Sequence, residues 1–211
     1  MQQLFQGHTK RHDPDSWDFE IYLERPEVHL ANTLKTQWPL MHYLMFTEYE
    51  DPILEVGAGS GRGSILIKRL QPHREVVALD ASVKACSVMQ RYSVAAKTPI
   101  KVVQADALTI PFPDKYFGVA FSVGLLEHYP DEWIIAALKE QCRVARAVMF
   151  NVPTDFYLSM FRTVHGDERG LTKMEWLKLA TRVAPIMDIT FHGLNTEEYA
   201  VTVVLWAGKG K

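Results

Sequence analysis

Four glycines fall within seven residues in the stretch ILEVGAGSGRGS, Ile53 to Ser64, directly after a short apolar run. Glycine is entropically costly to order, and chains use it where the backbone turns sharply or another group comes close. Gly57, Gly59 and Gly61, at every second position, therefore predict a loop that admits a ligand to the main chain. Backbone N–H groups in such a loop, leading into a helix N-terminus, suit an anionic or polar ligand. Two nucleotide-loop patterns are not met: GxGxxG starting at Gly57 requires glycine where Arg62 stands, and the Walker lysine is missing.

The acidic residues narrow the chemistry further. Glu55 stands two residues before Gly57, where a negative charge opposes a phosphate but suits a cationic ligand. Asp80 closes the next apolar run and can accept from both hydroxyls of a ribose. Asp106 closes the one after, where it can accept from an exocyclic adenine amine. A ribose, an adenine and an ammonium or sulfonium group together describe S-adenosylmethionine.

These residues need elements to hold them at one edge. Apolar runs of strand type, PILEV, EVVALD, IKVVQAD, FGVAFSVG and RAVMFNV, alternate with helical patterns. Ile65, Leu66 and Leu70 share one helical face; Val83, Cys86, Met89, Tyr92 and Ala96 share a second; Ile134, Ala137, Leu138 and Gln141 share a third. Strand–helix repetition with few charges inside the strands predicts a parallel sheet covered on both faces. Thr172 and Glu175 form a capping box ahead of a helix presenting Trp176, Leu177, Ala180 and Val183. IMDITFHGL and EYAVTVVLWAG then read as a closing antiparallel hairpin across an NTE turn.

Residues 1–50 stand outside this alternation. Pro26 opens a helix whose Val28, Ala31, Leu34 and Trp38 share a face, and Pro39 restarts the chain before LMHYLMF. We read 1–211 as one domain, with 1–50 a helical cap and 51–211 the core. Trp17, Phe19, Tyr22, Trp38, His42 and Tyr43 make that cap a candidate lid over the ligand. With 23 basic and 25 acidic residues the charge is near balance, so no bulk footprint for nucleic acid or anionic membrane is present. The start lacks the apolar core of a signal peptide and no run approaches a membrane span, which predicts a soluble, cytoplasmic protein. Cys86 and Cys142 sit at apolar helical positions, outside any CxxC pair, and read as buried thiols.

The segments EVGAGSG at Glu55 to Gly61, LDAS at Asp80, QADALTIPFPDKYFGVAFS around Asp106 and VGLLEHYPD after the fourth strand occur together. In that joint spacing the chain resembles the class I S-adenosylmethionine-dependent methyltransferases, particularly the branch acting on small molecules. The resemblance implies an α/β, doubly wound, mostly parallel seven-stranded sheet of order 3-2-1-4-5-7-6 with the last strand antiparallel and helices on both faces. It also implies roles. Gly57, Gly59 and Gly61 pass under the methionine moiety, and Glu55 orients that backbone or the ammonium through water. Asp80, with Ala81, holds the ribose; Asp106 takes the adenine amine and the Ala107 N–H the ring. The carbonyls from Ser122 to Gly124 receive the ammonium.

Methyl transfer from a sulfonium relies on alignment and exclusion of water, with a base needed only when the nucleophile must lose a proton. His128, after Glu127 in the loop beyond the fourth strand, is the foremost candidate base, and His165 is a second. Some relatives bind a metal through Glu-x-x-Glu-His on this loop, but the first glutamate's place is Gly124 here, so no metal is expected. NVPT at Asn151 resembles the Asn-Pro-Pro-aromatic motif of nucleic-acid amino methyltransferases, yet it follows the fifth strand rather than the fourth, and a nucleic-acid substrate is not indicated. The partner expected is a small-molecule methyl acceptor. A cofactor-binding partner or sensor without turnover is the competing reading; a nicotinamide oxidoreductase is disfavoured by Glu55 and Arg62.

Overall fold

The computed structural model describes residues 19–36, 44, 51–160, 168–194 and 197–208. Five parallel strands, β1 (Ile53–Val56), β2 (Val76–Asp80), β3 (Lys101–Gln104), β4 (Phe117–Val123) and β5 (Ala145–Pro153), lead the sheet. The hairpin of β6 (Ile186–Leu194) and β7 (Glu197–Trp206) completes it, with β7 antiparallel to both β5 and β6. The resulting seven-stranded order is β3-β2-β1-β4-β5-β7-β6, as the resemblance implied.

The strands read as apolar runs because both faces are covered, so alternate residues enter different cores. Leu54, Val56, Val77, Leu79, Ala120, Val148 and Phe150 meet Ile134 and Leu138 of α4 (Asp131–Val144) and Trp176 of α6 (Lys173–Thr181). Ile53, Val76, Val119, Phe121, Ala147 and Met149 meet the opposite layer, built from α1 (Pro26–Thr36), α2 (Arg62–Leu70) and α3 (Val83–Ala95). Each fully buried Leu, Ile or Phe in these layers contributes about 1.5–3 kcal/mol by leaving water. α3 begins at Ser82, whose hydroxyl accepts from the Ala85 N–H, and α6 begins at the Thr172–Glu175 capping box.

The expected faces hold for α4, where Ile134, Ala137, Leu138 and Gln141 are all fully buried. They shift at α2, where Leu70 is 40% exposed while Ile65 and Leu66 are buried, and at two further places. Val83, the first residue of α3, is 61% exposed, while Cys86, Met89, Tyr92 and Ala96 are buried as expected. On α1 the buried residues are Leu30 and Thr33, whereas Val28 is 52% exposed and Ala31 also faces water. Leu30, Thr33 and Leu34 lie at i, i+3 and i+4, so Leu34 of the expected set keeps its place on a face turned to Leu30, and the Thr33 hydroxyl is satisfied by the His29 carbonyl. Trp38, in the same expected set, lies outside the described residues, as do Asn195 and Thr196 of the hairpin turn. The short helix α5 (Asp155–Met160) has no counterpart in the sequence pattern. No helix of the described residues is long and apolar enough to cross a membrane.

Candidate active site

The parallel strands bring the ends of β1, β2, β3 and β4 to one edge, and β1 lies between β2 and β4 where the strand order reverses. Ligands of open α/β sheets bind beyond the carboxyl ends of strands at this kind of crevice. Each acid and glycine singled out in the sequence up to Gly124 comes to this edge.

The glycine loop is a left-handed track rather than a simple turn. Gly57, Gly59 and Gly61 have φ of +69°, +55° and +74°, a region that side-chain-bearing residues enter at a cost. The Gly57 and Ala58 N–H groups both donate to the Leu79 carbonyl, stitching the start of the loop to β2. Gly61 is then the N-cap of α2.

Glu55 is turned away from the loop's open side. It is 6% exposed, and its Oε2 accepts from both the Ser64 N–H at 2.7 Å and the Ser64 hydroxyl at 2.6 Å, in the first turn of α2. A Cβ on Gly63 would stand 2.5 Å from Glu55 Oε1, so that fourth glycine makes room for the carboxylate. Helix N-terminal N–H groups favour a negative charge, so Glu55 fixes the angle between β1 and α2. Burial nevertheless pushes its carboxyl up to about 7, against the opposing Ser64 bonds and the charge of Arg62.

That shift has a consequence for stability. Between the ordinary carboxyl value of about 4.5 and about 7, the folded chain holds a proton at Glu55 that the unfolded chain has released. The contribution is complete below the lower value and is lost as pH rises through the upper one. Urea denaturation from pH 4.5 to 8 is expected to show this decline in the wild type and a flatter profile in Glu55→Gln. Parallel profiles for the two proteins would assign the slope to other groups.

Asp80 faces the loop. Its Oδ2 accepts from the Gly59 N–H at 2.8 Å and its Oδ1 from the Ser82 N–H at 3.0 Å. Behind it lies the Cys86 thiol, 3.6 Å from the Asp80 carbonyl and raised by burial to about 11; burial likewise raises Cys142 to about 11, so both thiols stay protonated. Ala81 is exposed beside Asp80, and its carbonyl accepts from Gln104 at 3.5 Å. Asp106 closes a turn, accepting from the Leu108 N–H at 2.9 Å, and Ala107 beneath it is buried.

At the end of β4, Ser122 is 1% exposed and its hydroxyl has no hydrogen-bond partner. Gly124, at φ +64°, turns the chain, with its N–H donating to the Asn151 carbonyl of β5. The 3₁₀ turn Leu126–His128 follows, with Glu127 4% exposed and His128 half-buried. Arg169 clamps this turn: its N–H donates to the Glu127 carbonyl, and its guanidinium binds the Tyr129 carbonyl and Asp131. The Asn151 side chain is bonded to Thr202 of β7 at 2.9 Å, so its amide belongs to the sheet. His165, Trp17, His42 and Tyr43 lie outside the described residues. Among the described residues no group of three His, Cys, Asp or Glu is placed to hold a metal.

Ser64, Gly63 and Arg169 were not singled out in the sequence. A serine in the first turn of a helix that follows a buried acid is a readable capping signal for Ser64. Arg169 carries no such signal, because its partners lie 38 and 40 residues away.

A class I methyltransferase fold is defined by this sheet order together with the glycine loop and the acids at its edge. Residues 53–147 match the family model described as a methyltransferase domain, in line with the resemblance of this core to the class I S-adenosylmethionine-dependent methyltransferase family. The chain is 29% identical over 135 residues to 27-O-demethylrifamycin SV methyltransferase of Amycolatopsis mediterranei, a match covering 62% of this chain and 45% of that protein. It spans less than half the length of each of the curated relatives it matches. Among solved structures, the PH0226 protein of Pyrococcus horikoshii superposes with a TM-score of 0.70 at 15% identity over 97% of this chain and 98% of that one. Magnesium protoporphyrin IX methyltransferase of Synechocystis, solved with bound SAH, gives 0.66 at 15% identity over 83% of each chain.

S-adenosylmethionine is the cofactor of that family, and the residues at this edge fit it. Three left-handed glycines bare the loop backbone beside the Asp80 carboxylate, Asp106 stands at the next strand end, and the buried Ser122 hydroxyl is unpartnered.

Proposed function

We propose that the chain transfers a methyl group from S-adenosylmethionine to a small-molecule acceptor. The observation that carries this reading is the Asp80–Gly59 contact, which joins a ribose-type acid to a left-handed glycine loop at the switch point of the sheet. The acceptor class is supported by the relatives, whose names include a rifamycin and a demethylmenaquinone methyltransferase, and by the near-balance of charge.

Bound at this edge, the cofactor supplies a methyl group activated by a sulfonium. The protein's contributions are binding, alignment and exclusion of water. Asp80 accepts from the ribose hydroxyls, and Asp106 with the Ala107 N–H takes the adenine. The Gly57–Gly61 backbone carries the methionine end, and the Ser122–Gly124 strand end receives its ammonium.

Isothermal titration with S-adenosylhomocysteine tests the cofactor site, and a metabolite screen for homocysteine-containing product tests turnover. Binding without product from any acceptor would favour the partner or sensor reading. Asp80→Ala is expected to weaken S-adenosylhomocysteine binding by about 1–3 kcal/mol through loss of charge-assisted bonds. An unchanged affinity in a folded variant would remove the ribose assignment.

A further inference from the structure

The segment from Phe19 to the end of α1 is attached to the core along a line of contacts that ends at the glycine loop. Both terminal nitrogens of Arg69 on α2 bind the Glu27 carboxylate, at 2.6 and 2.7 Å, and the Tyr92 hydroxyl of α3 donates to the Pro26 carbonyl at 2.8 Å. Glu20 pairs with Arg91 at 2.5 Å. The Arg62 guanidinium, at the start of α2, lies 3.9 Å from the centre of the Tyr22 ring while its Nε donates to Ser60 in the loop. Beyond these, Phe19 stands on the loop itself: ring carbons Cε1 and Cζ lie 2.9 Å from where a Cβ on Gly59 would be.

Core packing accounts for this placement only at Leu23, which packs against the layer of α1, α2 and α3. The 3₁₀ turn Glu20–Leu23 buries none of its residues, and the side chains of its Glu20–Arg91 pair are 48% and 56% exposed. Exposed pairs of this kind contribute only about 0.2–1 kcal/mol each. Apart from Leu23 the turn is a surface element, and its neighbouring aromatic ring covers the residue that donates to Asp80.

We propose that Phe19 is a cofactor-binding residue, its ring forming the wall of the S-adenosylmethionine site above Gly59. The inference rests on the functional reading given above. An aromatic wall there packs against the aliphatic part of the methionine end and keeps water from the sulfonium, at little conformational cost. The Arg62–Tyr22 contact and the Glu20–Arg91 pair hold the turn so that the ring is presented.

Titration calorimetry with S-adenosylhomocysteine, thermal melts and amide exchange test this together. Phe19→Ala is expected to weaken binding about tenfold, and Phe19→Tyr, which keeps the ring, to stay within about twofold of wild type. Exchange over residues 19–36 is expected to slow on ligand addition in the wild type but not in Phe19→Ala. A merely structural Phe19 would lower the melting temperature and leave the affinity alone; wild-type affinity in Phe19→Ala overturns the inference while the functional reading stands. A wild-type protein that takes up no S-adenosylhomocysteine overturns the functional reading, and this inference with it.

Discussion

Gly59→Val is expected to bring S-adenosylhomocysteine binding below detection while the circular dichroism spectrum stays that of the wild type. Two independent obstacles meet at this residue. Its φ of +55° lies where a residue bearing Cβ pays about 1–2 kcal/mol, and β-branching stiffens the side chain further. An added Cβ would also stand 2.9 Å from the Phe19 ring, which must move or force the loop to move. Either movement disturbs the Gly59 N–H bond to Asp80, so the loop and the acid lose their mutual alignment together. Gly59→Ala keeps both obstacles, since the strain and the 2.9 Å contact belong to Cβ itself, and so isolates the added cost of the branched methyls. Calorimetry on both variants, with intact secondary structure, checks the expectation. Valine at wild-type affinity would reduce the loop to a chain reversal.

With a hydroxyl or protonated-amine acceptor and His128 as its base, His128→Ala is expected to lower turnover about 10²–10⁴-fold with little change in S-adenosylhomocysteine affinity. The histidine ends the 3₁₀ turn that follows β4, beyond the strand end assigned to the ammonium, and the turn is held from the other side by Arg169. A base there removes the acceptor's proton as the new bond to carbon forms. Activity should then fall at a pH low enough to protonate the imidazole, since only the neutral ring accepts a proton. Rate and affinity measured against pH for the wild type and His128→Gln check this. A joint fall in affinity and turnover would make His128 a prop for the Gly124 turn, and variants equal to wild type would remove it from both roles.

The strands were legible because a doubly covered parallel sheet leaves continuous apolar runs, and Ile53–Val56 or Phe117–Val123 admit few other environments. The glycine loop and Asp80 were legible as residue types, since positive φ selects glycine and a strand-end acid is costly without a partner. What local pattern did not carry was direction. Nothing in ILEV says that the Glu55 carboxylate turns into α2, where Ser64 and the space left by Gly63 receive it. The helix face of α1 was misjudged for a related reason: Val28 and Leu30 are both apolar, and only the position of α2 decides which is buried. Phe19 belongs to no periodic pattern, so its place on Gly59 emerges only when segments far apart in sequence are packed together.

The position of β7 constrains the order in which the sheet can close. It follows β6 in the chain yet lies between β5 and β6, supplying pairing partners to both. As the polypeptide leaves the ribosome, β1 to β5 can pair in parallel, but β6 emerges with no neighbour available. Until residues 197–206 follow, two apolar strand edges stand open, β5 and β6, each a template for another nascent chain. The edge carrying the glycine loop is finished first, and the half of the sheet farthest from Asp80 closes last.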